Sequence, residues 1–144
     1  MSYRHTQVAT VLLVVLGAGL LAALYAAART HWSPVMLVVL AVLAGVVLLF
    51  HSLTIEQEGR WLIARFGSGP IRFRFDLDEV VSAKPVRNRW WYGWGIHLTP
   101  DGWLYNVSGL EAVELVFGSG RRVRLGTDEP ARLAAVVNNH AHAS

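Results

Sequence analysis

The sequence predicts a membrane-anchored α+β protein. An N-terminal transmembrane helical hairpin (residues 1–53) precedes an antiparallel β-barrel or sandwich of about seven strands with a C-terminal capping helix (residues 54–144). Three observations predict it. The first 55 of the 144 residues hold two long apolar runs and only Arg4 and Arg29 as strong charges. From Leu53 on, alternating segments are broken by Gly, Pro and Asp at roughly ten-residue intervals, the spacing of hairpin-connected strands. After Gly126 the apolar residues return to helical spacing.

Residues 8–28 form a run of 21 without charge and with Thr10 as its polar exception. At 1.5 Å rise per residue such a run covers a hydrocarbon core of about 30 Å. A secretory signal peptide is the alternative, with Arg4 before the run and small residues at its end. Against it, the run is longer than a typical signal core and a second apolar run follows. Residues 29–34 make a short polar connection in which Pro34 suits a helix start and Trp32 suits headgroup level. The second span covers residues 35–53. Its charge-free core, 35–50, is short, so its flanks must complete the crossing. Gly19, Ala23 and Ala27 in the first span, and Ala41 and Gly45 in the second, would admit close helix approach, within the hairpin or to another membrane subunit. Two spans return the chain to its starting side. Arg4, Arg60 and Arg65 on that side against Arg29 in the loop point to a cytoplasmic body at the inner membrane.

Seven or eight candidate strands follow, over residues 52–57, 60–66, 71–75, 80–86, 94–99, 103–107, 113–117 and 121–125. A turn at Asp101-Gly102 would place Ile96 opposite Val107, Leu98 opposite Tyr105 and His97 opposite Asn106. A loop at 118–120 would place Val113 opposite Leu125, Leu115 opposite Val123, and Glu114 opposite Arg124 as a solvent-side ion pair. Thr127 or Asp128 can cap the last helix, whose apolar stripe is Leu133, Val136, Val137 and His140.

Gly93-Trp94-Gly95-Ile96, Asp101-Gly102-Trp103 with Asn106-Val107, Ala112-Val113-Glu114-Leu115, and Gly126-Thr127-Asp128-Glu129-Pro130 carry a resemblance over residues 53–140. The chain resembles the bacterial pleckstrin-homology-like domain proteins, small membrane-anchored modules. The resemblance implies a bacterial membrane protein with a PH-like body. In phosphoinositide-binding members the first hairpin loop is basic, whereas here it reads Gln57-Glu58-Gly59, so that recognition is not carried over.

The candidate interaction site is Lys84, Arg87, Arg89, Trp90, Trp91, Tyr92 and Trp94. Aromatic residues beside cations favour a membrane interface or a protein hot spot. The plain alternative is packing of Trp94 and one neighbour against the body, with solvated or ring-stacked arginines. Arg72 and Arg74 share one polar strand face, and Arg121, Arg122 and Arg124 form a second basic strip. Both read as solvated surface. The net charge of +3 suits a body beside anionic headgroups and calls for no nucleic acid.

With no cysteine there is no disulfide, thiol chemistry or thiolate metal site. Asp76, Asp78 and Glu79 lack the spacing of a calcium loop, and the six histidines are scattered. No nucleophile elbow, phosphate-cradling glycine loop or inward carboxylate pair appears. No cofactor, metal or catalytic residue is expected. The expected role is a non-enzymatic interaction module, an accessory or scaffold subunit of a membrane complex or a self-assembling protein. Anionic-lipid binding through residues 84–94 is the alternative.

Overall fold

The computed structural model describes residues 3–143. It is α+β, with apolar helices near the N-terminus, two sheets that do not close into a barrel, and a C-terminal helix. The outermost residues of the two expected segments, 1–2 and 144, lie outside the described residues.

The chain begins with a strand that the sequence does not announce, β1 (Arg4–Val8). Helices α1 (Thr10–Arg29) and α2 (Pro34–Phe50) follow and touch each other. Strand β2 (Ser52–Glu58) then pairs antiparallel with β1, from Arg4↔Glu56 to Val8↔Ser52. The Ala9 amide donates to the His51 carbonyl at 2.8 Å, so residues 9–51 leave and re-enter the sheet at one point. A domain boundary between residues 53 and 54 therefore cuts β2 and separates β1 from its own sheet. Tyr3, His5 and Gln7 are too few to show a strand period, and the pairing partner lies some forty residues away, across both helices.

Sheet A has the order β1-β2-β3-β4, with β3 (Trp61–Phe66) and β4 (Ile71–Asp76). Sheet B has the order β5-β8-β9-β7-β6, from β5 (Val80–Arg87), β6 (Gly95–Thr99), β7 (Gly102–Asn106), β8 (Glu111–Phe117) and β9 (Arg122–Gly126). All eight candidate segments are strands, one more than the expected count of about seven, and β1 makes nine among the described residues. The sheets are not wholly antiparallel, because β7 and β9 run parallel, Leu104 beside Arg124. Pro85 is tolerated because β5 is an edge strand.

The β8–β9 hairpin has the expected register, Val113↔Leu125, Glu114↔Arg124 and Leu115↔Val123. The Glu114–Arg124 pair is buried rather than on the solvent side, since Glu114 is 3% exposed. The β6–β7 turn is Pro100-Asp101, so Ile96 faces Tyr105, His97 faces Leu104 and Leu98 faces Trp103. That register differs by two residues from the expected one. An even shift keeps every side chain on its face, and the apolar face of the hairpin survives.

Between the sheets lie Leu53, Ile55, Leu62, Phe66, Phe75, Leu115, Val123 and Leu125. Ring contacts run from Phe50 at the end of α2 to Phe66 (5.5 Å between centroids), Phe73 (6.5 Å) and Tyr105 (4.6 Å). Helix α3 (Pro130–Ala143) buries Leu133, Ala134 and Val137 against β5 and β8. Tyr3 is buried too and donates from its hydroxyl to Glu129 Oε1 at 2.6 Å, tying the segment before α1 to the start of α3.

The helices contrast with the body. α1 buries only Ala27 and α2 buries nothing, while Val14, Leu21, Val35 and Val38 are each more than 60% exposed. A Cβ at Gly19 or Gly45 would meet nothing within 4 Å, so these glycines do not mediate the α1–α2 contact. Among the described residues α1 alone has the length and composition of a membrane span, features a signal sequence shares, and α2 is apolar but has 17 residues.

Candidate functional site

Strand β5 delivers Lys84 and Arg87 to the outward face and end of sheet B. Lys84 Nζ lies 3.7 Å from Glu114 Oε1, and Arg87 pairs in register with Glu111. Asn88 is buried, with its backbone N–H donating to the Leu110 carbonyl (2.7 Å) and its Oδ1 accepting from Arg124 (3.2 Å). A 3-10 turn over Trp90–Tyr92 follows, closed by the Tyr92 amide on the Arg89 carbonyl at 3.0 Å. Gly93 leaves it at φ +73°, a backbone that glycine adopts without strain.

This geometry divides the predicted cluster. Trp90 and Trp91 stand edge to face, 74% and 58% exposed, and the Arg89 guanidinium stacks on the Trp91 ring at 5.1 Å. Tyr92 folds back over sheet B and donates to Asp101 Oδ2 at 2.8 Å, and that bond pushes its hydroxyl pKa up. Trp94 turns toward the helices and donates from Nε1 to the Gly109 carbonyl at 3.1 Å. Arg124, with Nη2 3.1 Å from Glu114 and 3.5 Å from Asp101, is the centre of the polar layer under this segment. The seven residues are neighbours in sequence, yet they do not make one surface.

Trp94 forms one wall of an apolar cavity of about 270 Å³, whose other walls include Leu12, Val46, Phe50, Ile96 and Val107. The helices and sheet B meet here. Further along β6 and β7, Leu98 and Trp103 sit opposite each other, 69% and 43% exposed. They share the face of Tyr105, which is buried, but lie where the other sheet no longer covers them. Sequence reasoning assigns Leu98 to the core, because alternation gives the face and not its coverage.

A second cleft, of about 250 Å³, opens on the outward face of sheet A among Glu58, Ile63, Arg65, Arg72 and Arg74. Arg65 and Arg72 are directly opposed across β3 and β4. Arg65 donates to Glu56 Oε1 at 2.7 Å and Arg74 stacks on Trp61 at 4.7 Å. Arg72, among the described residues, has no ion pair or ring partner. The expected basic strip of β9 does not hold together: Arg124 is mostly buried in its ion pairs, and Arg121 stacks on Phe117 at 4.8 Å.

The acidic turn serves the fold. Asp76 binds Arg60, whose hydrogen bond draws the carboxyl pKa down, and it also accepts from the Asp78 amide at 3.0 Å. Asp78 lies 2.8 Å from His140. His5 bonds Asp128, and His97 bonds the Trp94 carbonyl. No group of three His, Asp or Glu among the described residues is arranged to hold a metal ion. Compared with known proteins, the chain matches no family model, no curated protein and no solved structure.

Proposed function

We propose that this protein is a membrane-anchored, non-enzymatic interaction module whose uncovered apolar face docks another membrane protein or a second copy of itself. Helices α1 and α2 cross the inner membrane as a hairpin, and the β body rests on the cytoplasmic leaflet. The uncovered side chains of both helices support this reading, since in water they would leave a large apolar surface unburied. The β1–β2 pairing supports it over a cleaved signal sequence, because cleavage after α1 would remove a strand that is part of the sheet. At 1.5 Å per residue, α2 supplies about 26 Å, and Ser33 with His51 and the residues beyond extend it to the interface. The likeness to pleckstrin-homology-like modules belongs to the same proposal. Two sheets with a C-terminal helix support it, and the parallel β7–β9 pair departs from an all-antiparallel plan.

The observation that carries the docking role is one apolar tract. It runs from Leu12 and Phe50 through the Trp94 cavity to Leu98 and Trp103, along the uncovered side of β6 and β7. Tryptophans at the rim of an uncovered patch are typical contact anchors. A photo-crosslinking residue at position 98, in native membranes, should join the protein to one discrete species, a second copy or another membrane protein, and Trp103→Ser should abolish that product. Absence of any product, with the protein migrating as a monomer in mild detergent, would overturn the proposal. The outward Trp90 and Trp91 favour a second reading, insertion of this turn at headgroup level. Lys84 faces Glu114, while Arg89 keeps its charge beside the Trp91 ring. On that reading, changing Lys84, Arg87 and Arg89 to Gln should abolish binding to anionic vesicles, whereas if the segment serves docking alone that binding should stay nearly unchanged.

A further inference from the structure

We propose that the cleft of Arg65, Arg72 and Arg74 on sheet A binds a phosphate group, presented by the headgroup of an anionic phospholipid in the leaflet where α2 ends. The inference rests on the membrane-anchored reading and adds a ligand site outside residues 84–94.

Arg65 and Arg72 are opposed across two neighbouring strands, an arrangement that is unfavourable for like charges unless an anion lies between them. Glu56 answers Arg65 at 2.7 Å and also Arg4 at 3.8 Å, and among the described residues no carboxylate within ion-pair distance answers Arg72 or Arg74. The cleft they line has room for a phosphate, about 250 Å³, and Glu58 is its one acidic wall. Guanidinium forks match phosphate oxygens in geometry as well as charge.

Its position selects the source. The turn joining β3 and β4 is bonded to the start of β2 and to the end of the second helix: the Gly67 amide donates to the Ser52 carbonyl at 2.8 Å and the Ser68 amide to the Leu48 carbonyl at 3.2 Å. The stem of Arg65 lies against Gly69 of the same turn. At about 3.3 Å per strand residue, Arg65 is about 7 Å from Gly67. That matches the depth of one headgroup layer, about 5–8 Å between hydrocarbon and water.

The test uses the full chain in mild detergent, titrated with phosphatidylglycerol, phosphatidylcholine or inorganic phosphate and read by native mass spectrometry. Phosphatidylglycerol should bind in preference to phosphatidylcholine. Arg72→Gln with Arg74→Gln should weaken it about thirtyfold, as expected for the loss of about 1 kcal/mol per cation. Arg121→Gln with Arg122→Gln, at the β8–β9 turn and outside the lining of the cleft, should change it little. Equal binding of both lipids, or equal losses in the two double variants, would overturn the site. Inorganic phosphate displacing the lipid at equal concentration would overturn the lipid source. Release of the chain from membranes by alkaline extraction would instead sink the anchoring on which the inference stands.

Discussion

Arg124 stands where three acidic or polar side chains converge, bonded to Glu114 and Asn88 and near Asp101. Glu114 is almost wholly enclosed, so removing its guanidinium partner leaves a buried carboxylate with only the exposed Lys84, 3.7 Å away, as counter-charge. Arg124→Ala should lower unfolding free energy by about 3–5 kcal/mol. Glu114→Leu combined with Arg124→Met should restore much of it in chemical denaturation of the full chain, and an additive double variant would show that the pair is not coupled. At the other pole, burial tends to raise the Glu129 pKa, but hydrogen bonds from Tyr3 and Arg132 bring it below its usual range. A depressed carboxylate contributes stability that is complete above its ordinary pKa and is lost as pH falls through the lowered value. Asp76, held down by Arg60, acts in the same sense. Melting temperature should therefore fall between about pH 5 and about pH 3, and Glu129→Gln should flatten that slope.

Among the elements, the β3–β4 turn carries the contact between body and helices. Gly67 adopts φ +53°, and a Cβ there would collide with the Leu48 carbonyl oxygen. Gly59 has a similar φ of +60° but faces open space. Gly59→Ala should cost about 1–2 kcal/mol of left-handed strain, whereas Gly67→Ala should cost a further 1–3 kcal/mol or so from the collision. Thermal unfolding of the two variants compares them, and equal losses would mean that the turn does not bear on α2. The same contact fixes the height of the arginine cleft above the helix end, so Gly67→Ala should also weaken phosphatidylglycerol binding.

For the whole molecule, the decisive feature is that residues 9–51 are an excursion from one point of sheet A. Val8 and Ser52 are register partners, so a two-residue Asn-Gly turn can replace both helices and join β1 to β2 as a hairpin. That variant should be soluble and cooperatively folded. Truncation to residues 54–144 should not be, because it bares the β2 edge and uncovers the core around Tyr3. If both fold equally well, β1 is dispensable. Much of this design was legible before any coordinates. Charge-free runs of 21 and 16 residues announce two apolar helices, alternation announces eight of nine strands, and the Glu114–Arg124 register follows from its loop. These features are local, set by the period of the backbone and the preferences of turn residues. That Trp94, still 39% exposed, turns toward the helices lies within the plain alternative read from the sequence; that Trp90 and Trp91 both stand outward, that Tyr92 bonds Asp101 and that Leu98 is exposed were not legible. Sequence period tells which side chains share a face, and only the packing of sheets and helices decides what covers that face. The pairing of β1 with β2, and the meeting of Arg65 with Arg72 beside the helix base, were decided in the same way. Such contacts join residues far apart in the chain, and their energy comes from surfaces that do not exist until the fold has closed.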